Sequence, residues 1–174
     1  MVFRKAEEAD VYNIMNIIKQ AQDYFKENGI NQWQNNYPNS DTIKNDIKNN
    51  NSYVLTDNER IVGTVAAVFT GEKTYDIIYE GQWLSNSDYV TIHRIAVDST
   101  LKGQGLSTVI INYIEEMSIK KGIKSIKVDT HRDNTSMQRL LEKNGFQYCS
   151  IPFQDSAHSM HPNWGQQLDH KSWM

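Results

Sequence analysis

Gly103 and Gly105 sit between an apolar segment and a run with helical spacing, and this junction is where the residue types most directly offer chemistry. The stretch reads Ile95-Ala96-Val97-Asp98-Ser99-Thr100-Leu101-Lys102-Gly103-Gln104-Gly105-Leu106-Ser107. Glycine admits positive φ and lets a ligand approach the backbone closely. A helix that opens directly after such a turn offers unpaired N–H groups and the positive end of its dipole, which suits a pyrophosphate. Lys102 adds positive charge beside it. Taken alone, the turn is also compatible with a purely structural strand–helix junction. It lacks the spacing of a P-loop and the third glycine of a dinucleotide fingerprint, so those two readings rank low.

The surrounding pattern predicts the elements that hold this turn. Residues 89–97 read as a strand. From Leu106, the positions Val109, Ile110, Tyr113, Ile114 and Met117 recur at helical intervals, with Gly122 as the stop. A strand at 123–130 follows. Asn134 can then cap a helix carrying Met137, Leu140 and Leu141 that ends at Gly145, before a strand at 146–153. Upstream, 2–5 is extended and 7–28 is helical, with Val11, Ile14, Met15, Ile18, Ala21 and Phe25 on one face and Gly29 past its end. Residues 30–40 form a loop, and Ser40 or Asp41 caps a short helix through about 49. Strands at 52–56 and 60–70 join through Asp57-Asn58, and 71–88 is a polar excursion carrying Tyr75, Tyr79 and Trp83. This order predicts an α/β class, with a single domain over 1–153. Residues 154–174 form an irregular tail with at most a short strand near 166–171.

Composition narrows the function. With 18 Lys+Arg against 21 Asp+Glu in 174 residues, the formal charge is −3, too near neutral for nucleic-acid binding as the main purpose. The sole cysteine, Cys149, excludes an intramolecular disulfide and thiolate metal clusters, and a buried apolar role is the expectation for it. The first residues carry no apolar leader, and no apolar run approaches bilayer length, so a cytoplasmic protein without membrane contact is expected. His158 and His161 lack a carboxylate at ligand spacing, and no metal is expected.

The order from Ile92 to Phe146 resembles the GNAT superfamily of acyl-CoA N-acetyltransferases. Lys102-Gly103-Gln104-Gly105-Leu106-Ser107 is similar to its pyrophosphate-binding motif, and Asn134 through Gly145-Phe146 to its second motif, an asparagine-led helix closed by Gly-Phe. The likeness extends over about 2–153. Trp33, Tyr37-Pro38, His93-Arg94 and Asp129-Thr130-His131 resemble uncharacterised bacterial members. The resemblance implies a mixed, mostly antiparallel central sheet with a splayed parallel strand pair and flanking helices, and acetyl-CoA as co-substrate. Pantetheine would pair with backbone at Ile95 and Val97. The amides of Gln104, Gly105, Leu106, Ser107 and Thr108 would hold the pyrophosphate with Lys102 and Gly103, and Asn134 would reach the coenzyme from the other strand's end. A backbone N–H near Val97 would polarise the thioester carbonyl. Lys102 stands where Arg or Gln is commoner, and Ser107 where Gly or Ala is usual.

Leu141 occupies the position where many members carry a tyrosine acid, which leaves Tyr148 as a substitute. His93 interrupts an apolar strand and could serve as a base or simply as a hydrogen-bonded strand histidine. Arg94 points away by strand alternation, toward a structural salt bridge. Trp33, Tyr37, Trp83 and Asp129 are the candidate acceptor contacts, with loop anchoring or turn capping as the plainer roles. The activity implied is acetyl transfer to a primary amine of a small molecule or peptide. The alternative is a non-catalytic acyl-CoA sensor module, to which Leu141 lends weight. A homodimer is compatible with either.

Overall fold

The computed structural model describes residues 1–75, 78–79, 82–152 and 163–169. In chain order its elements are β1 (Val2–Lys5), α1 (Val11–Glu27), α2 (Ser40–Lys48), β2 (Ser52–Asp57), β3 (Arg60–Val68), β4 (Ile78–Tyr79), β5 (Tyr89–Val97), α3 (Leu106–Lys120), β6 (Ser125–His131), α4 (Thr135–Lys143), β7 (Gln147–Pro152) and β8 (Asn163–Asp169). Two compact units divide the chain: Met1–Ala67 with His93–Tyr113, and Val68–Ile92 with Ile114–Met174. Both β5 and α3 contribute a part to each. Among the described residues no helix is long and apolar enough to cross a membrane.

In the first unit β1, β2 and β3 pair antiparallel, Val2 opposite Thr56 and Ser52 opposite Ala66, and the second part of β5 follows β3 in the sheet. Helix α1 packs Val11, Ile14, Ile17 and Ile18 onto Ala6, Ile43, Val54, Ile61 and Ala96. Ile14 and Ile18 are fully buried, and each such side chain stabilises the fold by roughly 1.5–3 kcal/mol. The helix starts at Val11, later than the pattern predicts, because Asp10 is already engaged. Its carboxylate accepts from the Glu7 N–H at 2.8 Å and from Arg4 at 2.7 and 2.9 Å, closing a tight turn first. The cap of α2 is Asn39 rather than Ser40 or Asp41. Thr42 decides this, because its N–H donates to Asn39 Oδ1 at 3.0 Å while its hydroxyl accepts from the Asn39 N–H at 3.3 Å.

The second unit has the sheet order β5, β6, β8, β7, β4. The parallel register between β5 and β6 runs from Tyr89 opposite Ser125 to Ile92 opposite Val128. All other pairings described are antiparallel, Ser125 opposite Asp169 and His131 opposite Asn163 among them. Ile114, Val90, Ile92, Ile126, Val128, Leu141 and Phe146 form the buried apolar set. Ser118 donates to the Ile123 carbonyl at 2.6 Å just beyond the end of α3. Strand β8 lies at Asn163–Asp169, toward the N-terminal side of the short strand expected near 166–171, and it is interior, between β6 and β7. Its sequence, Asn-Trp-Gly-Gln-Gln-Leu-Asp, has no apolar alternation. Backbone pairing on both sides holds it, a contribution no side-chain pattern reports. His158 and His161 lie outside the described residues.

Candidate active site

The glycine turn belongs to the first unit and is held from below. Asp98 is buried, and its Oδ1 accepts from the Thr100 N–H at 2.9 Å and the Thr100 hydroxyl at 2.7 Å. Its Oδ2 accepts from Arg60 at 2.5 Å. Burial works to raise the Asp98 pKa, but these hydrogen bonds and Arg60 outweigh it and hold the carboxyl below the usual range. Helix α1 braces the same segment: the Ser99 N–H donates to Gln20 Oε1 at 2.7 Å, and the Lys102 ammonium lies 4.0 Å from the Tyr24 ring centroid. Sequence patterning did not single out Gln20 or Tyr24, since their partners lie some eighty residues away.

Gly103 and Gly105 adopt φ 86 and 78, and a Cβ on either would meet nothing within 4 Å. Glycine is therefore needed here for backbone conformation rather than for space inside the protein. Lys102, Gly103, Gln104 and Gly105 are exposed, Leu106 is buried, and Ser107 and Thr108 are half-buried. The first amides of α3 are those an α-helix cannot pair internally. At Gly63 of β3 glycine serves closeness instead: a Cβ there would lie 2.8 Å from Ile110 Cδ1 of α3 and 3.4 Å from the Ala96 carbonyl.

Along β5, Ile95 and Val97 are half-buried while Ala96 between them is buried, and His93 is half-buried. Arg94 has φ 51 and forms the salt bridge expected of it, with Asp46 of α2. It also donates to the Tyr37 hydroxyl at 2.8 Å. Tyr37 is thus tied into an ion-pair network, and Trp33 packs edge-on against Phe25 at 5.5 Å and onto the core cluster.

The second unit holds a cluster built from side chains. Lys127 of β6, 3% exposed, places its ammonium 3.7 Å from the Tyr89 ring centroid and 4.4 Å from that of Trp83. The Trp83 indole N–H donates to the Tyr75 carbonyl at 2.7 Å, and the two rings stack at 5.8 Å. The Tyr75 hydroxyl donates to Asp129, and Tyr89 donates to the Glu72 carbonyl at 2.7 Å. Burial first, and then the Asp129 charge, push the Tyr75 phenol well above its ordinary pKa. Trp83, one of the candidate acceptor contacts, thus has its ring against the protein's own Lys127. A lysine inside the apolar run Ser125-Ile126-Lys127-Val128 was the sequence signal for this cluster.

Asn134 is buried and caps α4, its Oδ1 accepting from the Met137 N–H at 3.1 Å. Leu141 is wholly buried, a core residue of this unit, and Tyr148 of β7 is 55% exposed. Cys149 is half-buried rather than buried, because β7 leaves it near the surface with its Sγ 3.5 Å from the Gln147 carbonyl. Among the described residues no three His, Cys, Asp or Glu side chains gather where they could hold a metal ion.

The parallel strands β5 and β6 of the mixed sheet are joined through the glycine turn and α3. The chain belongs to the acetyltransferase (GNAT) family, whose model matches residues 14–146. It is similar to a GNAT-family acetyltransferase from Streptococcus agalactiae, with 31% identity, a TM-score of 0.85, and coverage of 97% of this chain and 94% of that one. A GNAT-family acetyltransferase from Listeria monocytogenes is 19% identical at TM-score 0.72, covering 97% of this chain and 94% of that one. PaiA N-acetyltransferase from Thermoplasma acidophilum, in complex with coenzyme A, is 13% identical at TM-score 0.69, covering 97% of this chain and 98% of that one. At such identities the last two speak for the fold alone. No curated protein matches the sequence significantly.

Proposed function

We propose that the protein transfers an acetyl group from acetyl-CoA to a primary amine of a small molecule or peptide, by direct attack within a ternary complex. The observation that carries this reading is the turn at 102–105. Two left-handed glycines open onto free space, directly before a helix start and beside Lys102. A pyrophosphate fits there: it needs N–H donors, positive potential and no Cβ in the way. Acetyl-CoA supplies an acetyl group activated as a thioester.

The chain's own groups do the rest. Backbone at Ile95 and Val97 aligns the pantetheine, and an N–H near Val97 stabilises charge on the carbonyl oxygen. His93 takes the proton from the acceptor ammonium, directly or through water. Leu141 supplies no acid, and a coenzyme thiol leaves readily without one; Tyr148 is the acid where one is needed. Asp129 offers the acceptor a carboxylate, whereas Trp33, Tyr37 and Trp83 serve the acceptor through the packing of their loops.

The test is thiol release from acetyl-CoA across a panel of primary amines, with His93→Ala beside wild type. Turnover is expected with some amine, and the variant should lose roughly 10²-fold at neutral pH and less at high pH. Wild-type rates in His93→Ala on the best acceptor at pH 6.5–7 would remove the base assignment. Tight coenzyme binding with no turnover on any amine, which the buried Leu141 would accommodate, would replace the enzyme with an acyl-CoA sensor.

A further inference from the structure

Arg94 combines two features that ordinary strand residues lack. Its φ of 51 lies in the left-handed region that long side chains seldom adopt, and its side chain is only 13% exposed. Such a backbone persists where the surroundings over-determine it, and these positions cluster at functional sites. Here the surroundings are explicit. Asp46 takes the guanidinium in a two-point fork, Nε to Oδ2 at 2.9 Å and Nη2 to Oδ1 at 2.7 Å. The remaining arm, Nη1, donates to Tyr37 at 2.8 Å. The Asp46 side chain is itself 9% exposed, so water competes little with the fork. A buried ion pair adds little net stability over an apolar substitute of the same volume. What a planar fork does supply is direction.

We propose that Arg94 is a positioning residue for acetyl transfer: pinned by Asp46 and Tyr37, it fixes the left-handed step in β5 that sets how the backbone of 95–97 meets acetyl-CoA. The proposal rests on the acetyltransferase reading above. The same clamp ties the loop at 30–38 to that step, so a change at Tyr37 reaches the strand without touching the coenzyme.

Two variants separate this from simple stabilisation. Arg94→Lys keeps the charge and loses the fork, while Tyr37→Phe removes one hydroxyl from an exposed side chain and leaves the ion pair. Initial rates with acetyl-CoA and pooled primary amines are measured beside CoA affinity by calorimetry and the melting temperature of each variant. The expected result is a kcat loss of about tenfold or more in Arg94→Lys and roughly two- to tenfold in Tyr37→Phe. CoA affinity should stay within about twofold of wild type, because the phosphates bind at the glycine turn. Folded variants with wild-type kcat overturn the proposal. So does a parallel loss of kcat and CoA affinity that tracks melting temperature, the signature of a merely structural contact. Should Arg94→Lys fail to fold, Tyr37→Phe decides on the same terms. Wild-type protein that releases no thiol with any amine overturns the acetyltransferase reading and the clamp together; wild-type turnover beside unchanged variants overturns the clamp alone.

Discussion

In the first unit the candidate coenzyme turn is made of backbone: two glycines at positive φ, a helix start, and an exposed Lys102 resting over Tyr24. In the second, the cluster around Lys127 is made of side chains: two aromatic rings at the ammonium, and Tyr75 donating to Asp129. The difference teaches which changes each region can bear. A site made of backbone amides tolerates side-chain substitution until one alters φ or fills the space in front of the amides. A side-chain cluster keeps its backbone under substitution but loses stability whenever one polar group is left without its partner.

The sharpest way to break this contrast is Gly105→Glu. It adds a side chain at φ 78 and a negative charge where phosphates are proposed to sit. Acetyl-CoA affinity should fall by roughly 2–4 kcal/mol, about 30- to 1,000-fold, while the left-handed residue costs the fold only about 1–2 kcal/mol. Unchanged affinity in calorimetry would remove the turn from the binding site.

In the other region Tyr75→Phe keeps the ring on Trp83 but strips the donor from Asp129, and should cost about 1–3 kcal/mol of stability. It should also alter the alkaline limb. The Tyr75 pKa is raised in the fold, by burial first, so its stabilisation is complete below the ordinary tyrosine value of about 10 and is lost as pH rises through the folded value. Tyr53, also raised by burial, acts in the same direction. Wild type should therefore lose stability above pH ~10 more steeply than Tyr75→Phe. Denaturant midpoints giving equal slopes would refute the assignment.

Asp98→Ala tests how far the backbone turn depends on its one buried carboxylate. Loss of the cap and of Arg60 should cost roughly 1–2 kcal/mol. Because the Asp98 pKa is lowered in the fold, its stabilisation is present above the ordinary aspartate range and lost as pH falls through the folded value. The variant should flatten the acid limb, to which Asp10, lowered chiefly by its hydrogen bond from Arg4, also contributes. An acid limb indistinguishable from wild type would show the cap to be dispensable. The smallest effect is expected of Lys102→Met, about 0.5–1 kcal/mol in CoA affinity with a weaker salt dependence. An unaltered salt slope would mean that Lys102 serves Tyr24 rather than phosphate.

Much of the first region is legible in sequence because its determinants are local. Gly103, Gly105 and the helical spacing from Leu106 lie within one short stretch, and φ and amide exposure follow from residue type and position. The N-cap of α2 fell one or two residues off for an equally local reason, since Asn39 and Thr42 satisfy each other better than Ser40 or Asp41 could. The short strand expected near 166–171 has no apolar alternation to fix its bounds; pairing with β6 and β7 on its two sides sets them at Asn163–Asp169.

By itself, then, the sequence determined the helices of apolar periodicity, the glycine turn that ends β5 and opens α3, and the α/β order that the family shares. Tertiary structure alone decided that Lys127 lies against Trp83 and Tyr89, that Tyr75 donates to Asp129, and that Arg94 is gripped by Asp46 and Tyr37. The physical reason is separation along the chain. Backbone conformation is set by a residue and its near neighbours, whereas the pairing of a buried charge is set by whichever side chains the fold brings within a few ångströms; local spacing can flag such a charge, as it does at Lys127, but does not name its partners.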